Sequence, residues 1–501
     1  MTLATAHHQN EAATRLKKLH ALQEQGINPF PSWNEERVTC QDFLNRFTLL
    51  PADHTVTLAG RLMSIRLQGG TTFAHLQDQS GNVQLFFKKD LLGEPSYYLL
   101  KNDLDRGDIV AVSGTSFTTK SGEKSLLAQT LTVLAKSVLP LPEKWDGLKK
   151  TETRFRQRYL DMLSNEESAK RFLVKSALIA AIREFFNERG YAEVETPILQ
   201  PLYGGGLARP FSTRHNALGI PLYLRISPEL YLKRLVVGGL ERIFEIGRMF
   251  RNEGIDHDHN PEFTMLETMA AYHDYHYNMD LVEECYEFCA QKILGTTDIV
   301  YGPHTIRVAR PWKRMTMVES IRATTGIDVI SWKTAAEAQN VLTALKIDKK
   351  KIKQAHTLGL TIALLFEEKV EETLLQPTII YEHPVETSPL AKRCAHNPHF
   401  VERFEHFILG SEQGNHYSEL NDPVELKERF VEEQKKIKKG SAIEDVHQPD
   451  NDFLLAVKHG MPPTSGLSIG IDRMAMLFTN AEHIKEVIPF PLLRPKRSAS
   501  V

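Results

Sequence analysis

The chain has 501 residues, 42% of them hydrophobic and 25% charged, with a formal net charge of −2. That length suits two or three domains, and that balance excludes disorder, collagen and low-complexity sequence for most of the chain. No apolar run approaches the roughly 20 residues needed to cross a bilayer, the first residues lack the basic start and apolar stretch of a signal peptide, and four cysteines argue against a disulfide scaffold, so a cytoplasmic setting is expected.

Residues 10–25 are expected to form a helix, with Leu16, Leu19 and Leu22 on one stripe and Gly26 and the prolines Pro29 and Pro31 stopping it. From 55 to 138 short apolar and β-branched runs alternate with turn signals, as in VTLAG, TTFAHLQD, SGNVQLFF and GDIVAVSG. That spacing predicts a small barrel or sandwich, and an oligonucleotide-binding barrel is one such fold. Phe73, after the Gly69–Gly70 pair, suits either a stacking face or a core. The first 150 residues carry +2 and the remainder −4, which fits a front piece that meets a polyanion and fits chance equally. Residues 139–150, with two prolines and a glycine, read as a linker.

The remainder predicts one larger domain. It opens with an amphipathic helix over 168–188, then a strand broken by Pro197 and the glycine-rich YGGGLARPF; 222–272 reads as strand-rich, and 314–375 as helices with a lysine-rich stretch. Strands return at 400–420 and 464–479, before a final helix. Neither a GxxxxGK[ST] loop nor a convincing GxGxxG after a strand is present, so any ATP site must be built without the parallel-sheet phosphate cradle.

Three stretches carry candidate chemistry. In RIFEIGRMFRNE (242–253) alternation puts Met249, Arg251 and Glu253 on one side; EFTMLETM resumes it with Phe263, Met265, Glu267 and Met269 together, and His259 lies in the loop between. Such a hairpin can offer an arginine to a phosphate and a phenyl ring to a purine, or it can be a surface hairpin with an ordinary salt bridge. In RFEHFILGSEQGNHYSELND (403–422), Glu405 and Glu412 flank a turn at Gly410, and Asn415, Tyr417 and Glu419 alternate onto one face. Two carboxylates suit a hard cation, and an acid, an amide and a ring suit an alkylammonium; a solvated strand face has the same composition. In TSGLSIGIDRMAMLF (464–478), Arg473 at a glycine-rich strand-to-helix junction suits a phosphate, a base or a helix-start ion pair. Cys285 and Cys289 lack a second pair with zinc spacing and read as structural. His215, His383, His396, His399, His406 and His416 form no two-histidine-plus-carboxylate pattern on one face, and the basic runs Lys349–Lys353 and Lys435–Lys439 read as solvated helix faces.

At these residues the sequence resembles the bacterial two-domain class II lysyl-tRNA synthetases. FFNERGYAEVETPIL (185–199) is similar to that family's first motif, FEIGRMFRNEG with HNPEFT (244–264) to the second, and GLSIGIDRM (466–474) to the third. LRISPELYLKRLVVGG (224–239) and NHYSELNDP (415–423) resemble lysine-specific signatures. The resemblance implies an α+β fold: a six- or seven-stranded antiparallel class II sheet with flanking helices, plus an N-terminal all-β oligonucleotide-binding (OB) barrel. The implied organisation is a helical extension over 1–54, an anticodon-binding barrel over 55–138, a linker over 139–165 and a catalytic domain over 166–501.

The resemblance also implies an activity, lysine–tRNA ligation with ATP, L-lysine and tRNA-Lys as substrates, Mg2+ as cofactor and a homodimer formed through the first motif. It implies that Arg251 holds the α-phosphate, Phe263 and Arg473 sandwich the adenine, Glu253 accepts from its amine and His259 approaches the terminal phosphates. Glu405 and Glu412 would bind the metal, Glu229 and Glu267 the lysine α-ammonium, and Asn415, Tyr417 and Glu419 the side chain. In the barrel, Arg66, Phe73, Gln84 and Glu123 match anticodon-binding positions. The sequence departs from the family at Met269, where a tyrosine is usual, and at Gly70, Asp258, Lys458 and Ser468. These departures motivate a second reading, a tRNA-binding regulatory paralogue with weakened lysine activation.

Overall fold

The computed structural model describes residues 3–51, 53–142, 148, 150–438 and 448–495, and the chain forms two compact units that divide at residues 148 and 149. In the first unit, strands β1 (Val56–Gln68), β2 (Thr71–Gln77), β3 (Asn82–Lys88), β4 (Ile109–Thr118) and β5 (Lys124–Ala135) close into a barrel in the order β1-β2-β3-β5-β4. Period-two alternation explains the closure: Ala74 and Leu76 of β2 and Val83 and Leu85 of β3 are buried inside, and their neighbours along each strand point outward.

The N-terminal helix runs Leu3–Glu24, starting earlier than residue 10. Leu22 is fully buried, but Leu16 is 45% exposed and Arg15 takes the expected core place at 5%. The Arg15 guanidinium reaches the carbonyl of Arg106 and pairs with Glu11, so a charged group satisfied by backbone displaces an apolar stripe.

The second unit is built on an eight-stranded sheet in the order Lys313–Thr316, Thr378–Pro384, Phe400–Ile408, Ser411–Ser418, Thr464–Gly470, Glu262–Ala271, Arg242–Phe250 and Ala192–Glu193. It is antiparallel except for one parallel pair at each edge; the two-residue edge strand takes it beyond the six or seven strands implied. Helices Glu166–Glu188, Tyr275–Leu294 and Ile471–Phe478 cover one face, and their apolar residues form the largest core with Phe244, Leu266 and Ile469. Helices between 317 and 369 enclose a separate core.

Two readings of the sequence need correction. The segment 139–165 is not a linker throughout: helices Thr151–Arg156 and Arg158–Ser164 occupy its second half, with Arg158 and Asp161 each 1% exposed and paired at 3.0 Å. Arg158 also donates to the carbonyls of Pro489 and Ile488, which anchors polar sequence that composition alone assigns to solvent. The strand-rich reading of 222–272 missed the helix Glu229–Val237. Its apolar run reads either way by composition, and the helix begins directly after Pro228, where Ser227 Oγ accepts the Glu229 amide at 3.0 Å.

Beneath the sheet, His406 and His416 are fully buried and 2.9 Å apart. The Ser468 amide donates to His416 Nδ1, so His416 donates through Nε2 to His406 Nδ1, and His406 donates through Nε2 to the Tyr286 hydroxyl at 3.2 Å. Every link requires a neutral ring. Burial lowers His406 to about 3, and burial with His406 and Arg403 alongside lowers His416. A base whose folded pKa is depressed contributes its stability above the unfolded pKa of about 6.5 and loses it as pH falls. The His406 contribution to unfolding free energy is therefore expected to fall by on the order of 2 kcal/mol from pH 7 to pH 5, read as the difference between the unsubstituted chain and His406→Asn in denaturant titrations at the two pH values. A difference that does not change over that interval would remove this account.

Candidate active site

A cavity of about 390 Å³ opens on the sheet face opposite the large core, and its wall contains all twelve candidate residues of the second unit: Glu229, Arg251, Glu253, His259, Phe263, Glu267, Glu405, Glu412, Asn415, Tyr417, Glu419 and Arg473. Its size suits a nucleotide-scale or amino-acid ligand. The sheet explains the convergence. Strands Arg242–Phe250 and Glu262–Ala271 pair with Met249 opposite Phe263 and Glu245 opposite Glu267, which places Phe263, Met265, Glu267 and Met269 on the cavity face. Strand Ser411–Ser418 lies beyond Thr464–Gly470 and adds Asn415 and Tyr417 from the same side.

One end of the cavity carries Arg251 and Arg473 among the acids Glu253 and Glu412. The strand stops at Phe250, so Arg251 leaves the ladder, but its amide still donates to the Pro261 carbonyl at 2.9 Å. Its guanidinium lies 5.2 Å from the Phe263 ring centre, and its Nε has no hydrogen-bond partner. Burial lowers its pKa, and the charges of Glu253, Glu412 and Glu267 oppose that fall. Arg473 donates to the Glu412 carbonyl and lies 3.2 Å from His259 Nε2. Because arginine only donates, His259 accepts there and donates through Nδ1 to Asp256 at 2.9 Å. Asp472, just before Arg473, pairs with Lys175 and accepts from the Thr264 amide; Arg473 lines the cavity.

Glu405 and Glu412 come from the hairpin whose turn, Leu409–Gly410, has φ of 58° and 69°, left-handed values that favour glycine. Burial and the neighbouring Glu405 charge raise Glu412. Half-buried carboxylates that repel across one cavity are a donor set suited to a hard, oxygen-seeking cation. The sequence reading missed two groups here. Arg403, two residues before Glu405 on the same strand face, pairs with Glu405 and donates to Asn415 Oδ1 at 2.8 Å. Glu371, raised to about 7 by burial and by Glu405 and Glu412, adds a third acid. Strand alternation pointed to Arg403; nothing local pointed to Glu371.

The other end is acidic. Glu229, Glu267 and Glu419 are 7%, 5% and 1% exposed. Ser227 Oγ donates to Glu267 at 2.8 Å. Burial raises Glu267 to about 8, with Glu229 adding to the effect; burial also raises Glu419 to about 8, partly offset by the charge of Lys233. Glu419 Oε2 is in ion-pair contact with Lys233 and Oε1 has no hydrogen-bond partner, so an acceptor remains for a donor. Met269 lines this end at 2% exposure and supplies no polar group. A Cβ added at Gly466 would collide with Glu419 Oε1. Gly466→Ala is accordingly expected to displace that carboxylate and raise the KM for an ammonium substrate about tenfold or more, with the KM for the nucleotide unchanged; steady-state kinetics on both substrates checks it.

In the barrel, Arg66 pairs with Phe73, Phe73 with Phe86, and His75 with Gln84, so these side chains share one outward face. Phe73 stacks on Phe86 at 4.6 Å and Phe86 on Phe117 at 5.2 Å. Gln84 donates to Glu123 at 2.8 Å, and Lys88 lies over both Phe86 and Phe117. Stacked rings beside cationic side chains make a surface suited to single-stranded nucleic acid. Phe86 and Phe117 went unnoticed in the sequence because cross-strand stacking is not visible in either strand alone.

The remaining candidates sit elsewhere. Cys285 and Cys289 are buried in the core. Lys351 pairs with Glu367 and Glu368, a solvated helix face, and Lys439 lies outside the described residues. His396 meets Glu382 and Cys394 away from the cavity.

Residues 150–494 match the family model of class II tRNA synthetases (D, K and N), and residues 56–134 match that of the OB-fold nucleic acid binding domain. The chain belongs to the class II tRNA synthetases. It is 47% identical over 482 residues to the lysine–tRNA ligase of Carboxydothermus hydrogenoformans, covering 96% of this chain and 97% of that protein. It is 44% identical over 493 residues to the lysine–tRNA ligase of Bacillus subtilis, covering 97% and 98%, and 45% over 491 residues to that of Enterococcus faecalis, covering 97% of each. Within the class, the chain belongs to the lysine–tRNA ligase family.

Proposed function

We propose that this chain activates L-lysine with ATP to lysyl-adenylate and pyrophosphate, then transfers lysine to the 3′-terminal adenosine of tRNA-Lys. The observation that carries the reading is that one cavity gathers the guanidinium groups of Arg251 and Arg473, suited to phosphate and base, and the acids Glu229, Glu267 and Glu419, suited to ammonium groups. The lysine carboxylate is ionised at neutral pH, so no general base is needed. Its oxygen attacks the α-phosphorus, a new C–O–P bond forms, the α–β phosphoanhydride bond breaks and pyrophosphate carries the electron pair away. Two anions must meet, so the chain's contribution is positioning and charge compensation. A ribose hydroxyl of the tRNA then attacks the lysyl carbonyl, and AMP leaves.

In this reading Arg251 holds the α-phosphate, Phe263 and Arg473 sandwich the adenine, Glu253 accepts from its amine and His259 approaches the terminal phosphates. Glu405 and Glu412, repelling oxygen donors, would hold Mg2+, which supplies charge neutralisation to the triphosphate when bound. Glu229 and Glu267 hold the α-ammonium, and Asn415, Tyr417 and Glu419 line the side-chain pocket. The face carrying Arg66, Phe73, Gln84 and Glu123 reads the anticodon. Exposed apolar side chains at Ile198, Leu199, Leu218 and Ile220 support a homodimer beside the first motif, since such surface favours a partner. Among the described residues no helix is long and apolar enough to cross a membrane, and the setting proposed is the cytoplasm. Pyrophosphate exchange into ATP with a panel of amino acids, followed by aminoacylation of tRNA-Lys, tests the reading: exchange driven by lysine alone is expected, and exchange driven by another amino acid would overturn it.

A further inference from the structure

The acidic end of the cavity has a resident cation that does not line it. Lys233 lies one helical turn after Glu229, and its side chain is 2% exposed. Its ammonium donates to Glu229 Oε1 and is in ion-pair contact with Glu419 Oε2. The rings of Tyr417 and Phe453 lie 5.3 and 5.7 Å from the same nitrogen. Glu229 and Glu419 are in the cavity wall and Lys233 is not, so it bridges the two acids from behind.

Charge balance shows what this bridge does. Glu229, Glu267 and Glu419 place three carboxylates in one buried region, with Lys233 as the ammonium that contacts two of them. A buried carboxylate without a counter-ion takes up a proton rather than remain charged. A protonated pair would hold a neutral side chain as readily as a cationic one, and lysine would have to drive the protons off on binding.

We propose that Lys233 is a positioning residue, a permanent counter-ion that holds the Glu229 and Glu419 carboxylates aimed at the cavity and eases the ionisation of Glu419 as the amino acid binds, so that the pocket selects a cationic side chain over a neutral one of similar length. The proposal rests on the lysine-activation reading and deepens it. Two facts agree with it. The Lys233 charge lowers Glu419 against the upward pull of burial. Lys233 itself loses by burial but is raised overall by Glu229 and Glu419, so it stays charged in the pocket.

The test is the pH dependence of lysine-dependent pyrophosphate exchange in the full-length protein, comparing Lys233→Met, Lys233→Gln and Lys233→Arg with the unsubstituted chain. Met keeps the length of the stem without charge, Gln keeps a donor toward Glu229 without charge, and Arg keeps the charge. For the Met and Gln variants the lysine KM at pH 7 is expected to rise about tenfold or more, with the ATP KM within about twofold. Their lysine KM is expected to fall as pH rises, with a midpoint above that of the unsubstituted chain, because the acids then ionise without help. Discrimination between lysine and methionine is expected to narrow in both. The Arg variant is expected to keep the original midpoint. An unchanged midpoint in the neutral variants, or a loss of kcat alone at every pH, would overturn the proposal and leave the lysine-activation reading standing. Absence of lysine-dependent exchange in the unsubstituted chain would overturn both.

Discussion

Arg251→Ala is expected to lower kcat/KM for lysine-dependent pyrophosphate exchange by about three orders of magnitude, a barrier increase of roughly 4 kcal/mol. The size follows from the place of the guanidinium. It is deep in the cavity, its Nε is without a hydrogen-bond partner, and it faces the Phe263 ring rather than a dedicated acid. A cation held in that state has its charge available to a ligand. It compensates a phosphate most strongly as two anions approach, so its removal falls on the transition state more than on ATP binding. Arg251→Lys keeps charge but loses the planar fork, and an intermediate loss is expected. Equal activity of the Ala variant and the parent in steady-state exchange would exclude Arg251 from charge compensation.

Glu419→Gln is expected to act on the other substrate. The change is nearly isosteric, so the fold and the ATP KM should hold. The lysine KM is expected to rise about a hundredfold, the range of a charge-assisted hydrogen bond of roughly 1.5–3 kcal/mol. The carboxylate is 1% exposed, so water does not replace the lost charge, and Lys233 then faces a single acid. The pH profile provides a second readout. Burial raises Glu419 to about 8, so in the parent chain lysine binding should strengthen as pH rises through that value. The Gln variant has no carboxylate to ionise at that position and should lose that part of the rise. A lysine KM that changes no more than the ATP KM would remove Glu419 from amino-acid selection.

These two predictions use residues that were already visible as candidates before any fold was known. Alternation along 242–253 and 262–269 placed Arg251, Phe263 and Glu267 in one hairpin, because strand periodicity is a local property. The five barrel strands were legible for the same reason, and so was the turn at Gly410. The alternatives at each stretch, a salt-bridged surface hairpin or a solvated strand face, could not be separated locally. They were separated when the strand order brought Thr464–Gly470 between the two hairpins, so that residues more than 150 positions apart face one cavity.

What the sequence determined by itself was the kind of element at most positions, the residue types with chemistry to offer, and a resemblance to one family. It misjudged the segments whose burial depends on distant partners. The second half of 139–165 is held because the carbonyls of Pro489 and Ile488 receive the Arg158 guanidinium, and Arg15 replaces Leu16 in the core because the carbonyl of Arg106 receives it. Only the tertiary structure decided that Lys233 stands behind Glu229 and Glu419, that Phe73, Phe86 and Phe117 stack, and that Glu371 approaches the Glu405–Glu412 pair. The physical reason is common to all of them: periodicity is written in neighbours along the chain, whereas charge compensation and stacking depend on neighbours in space.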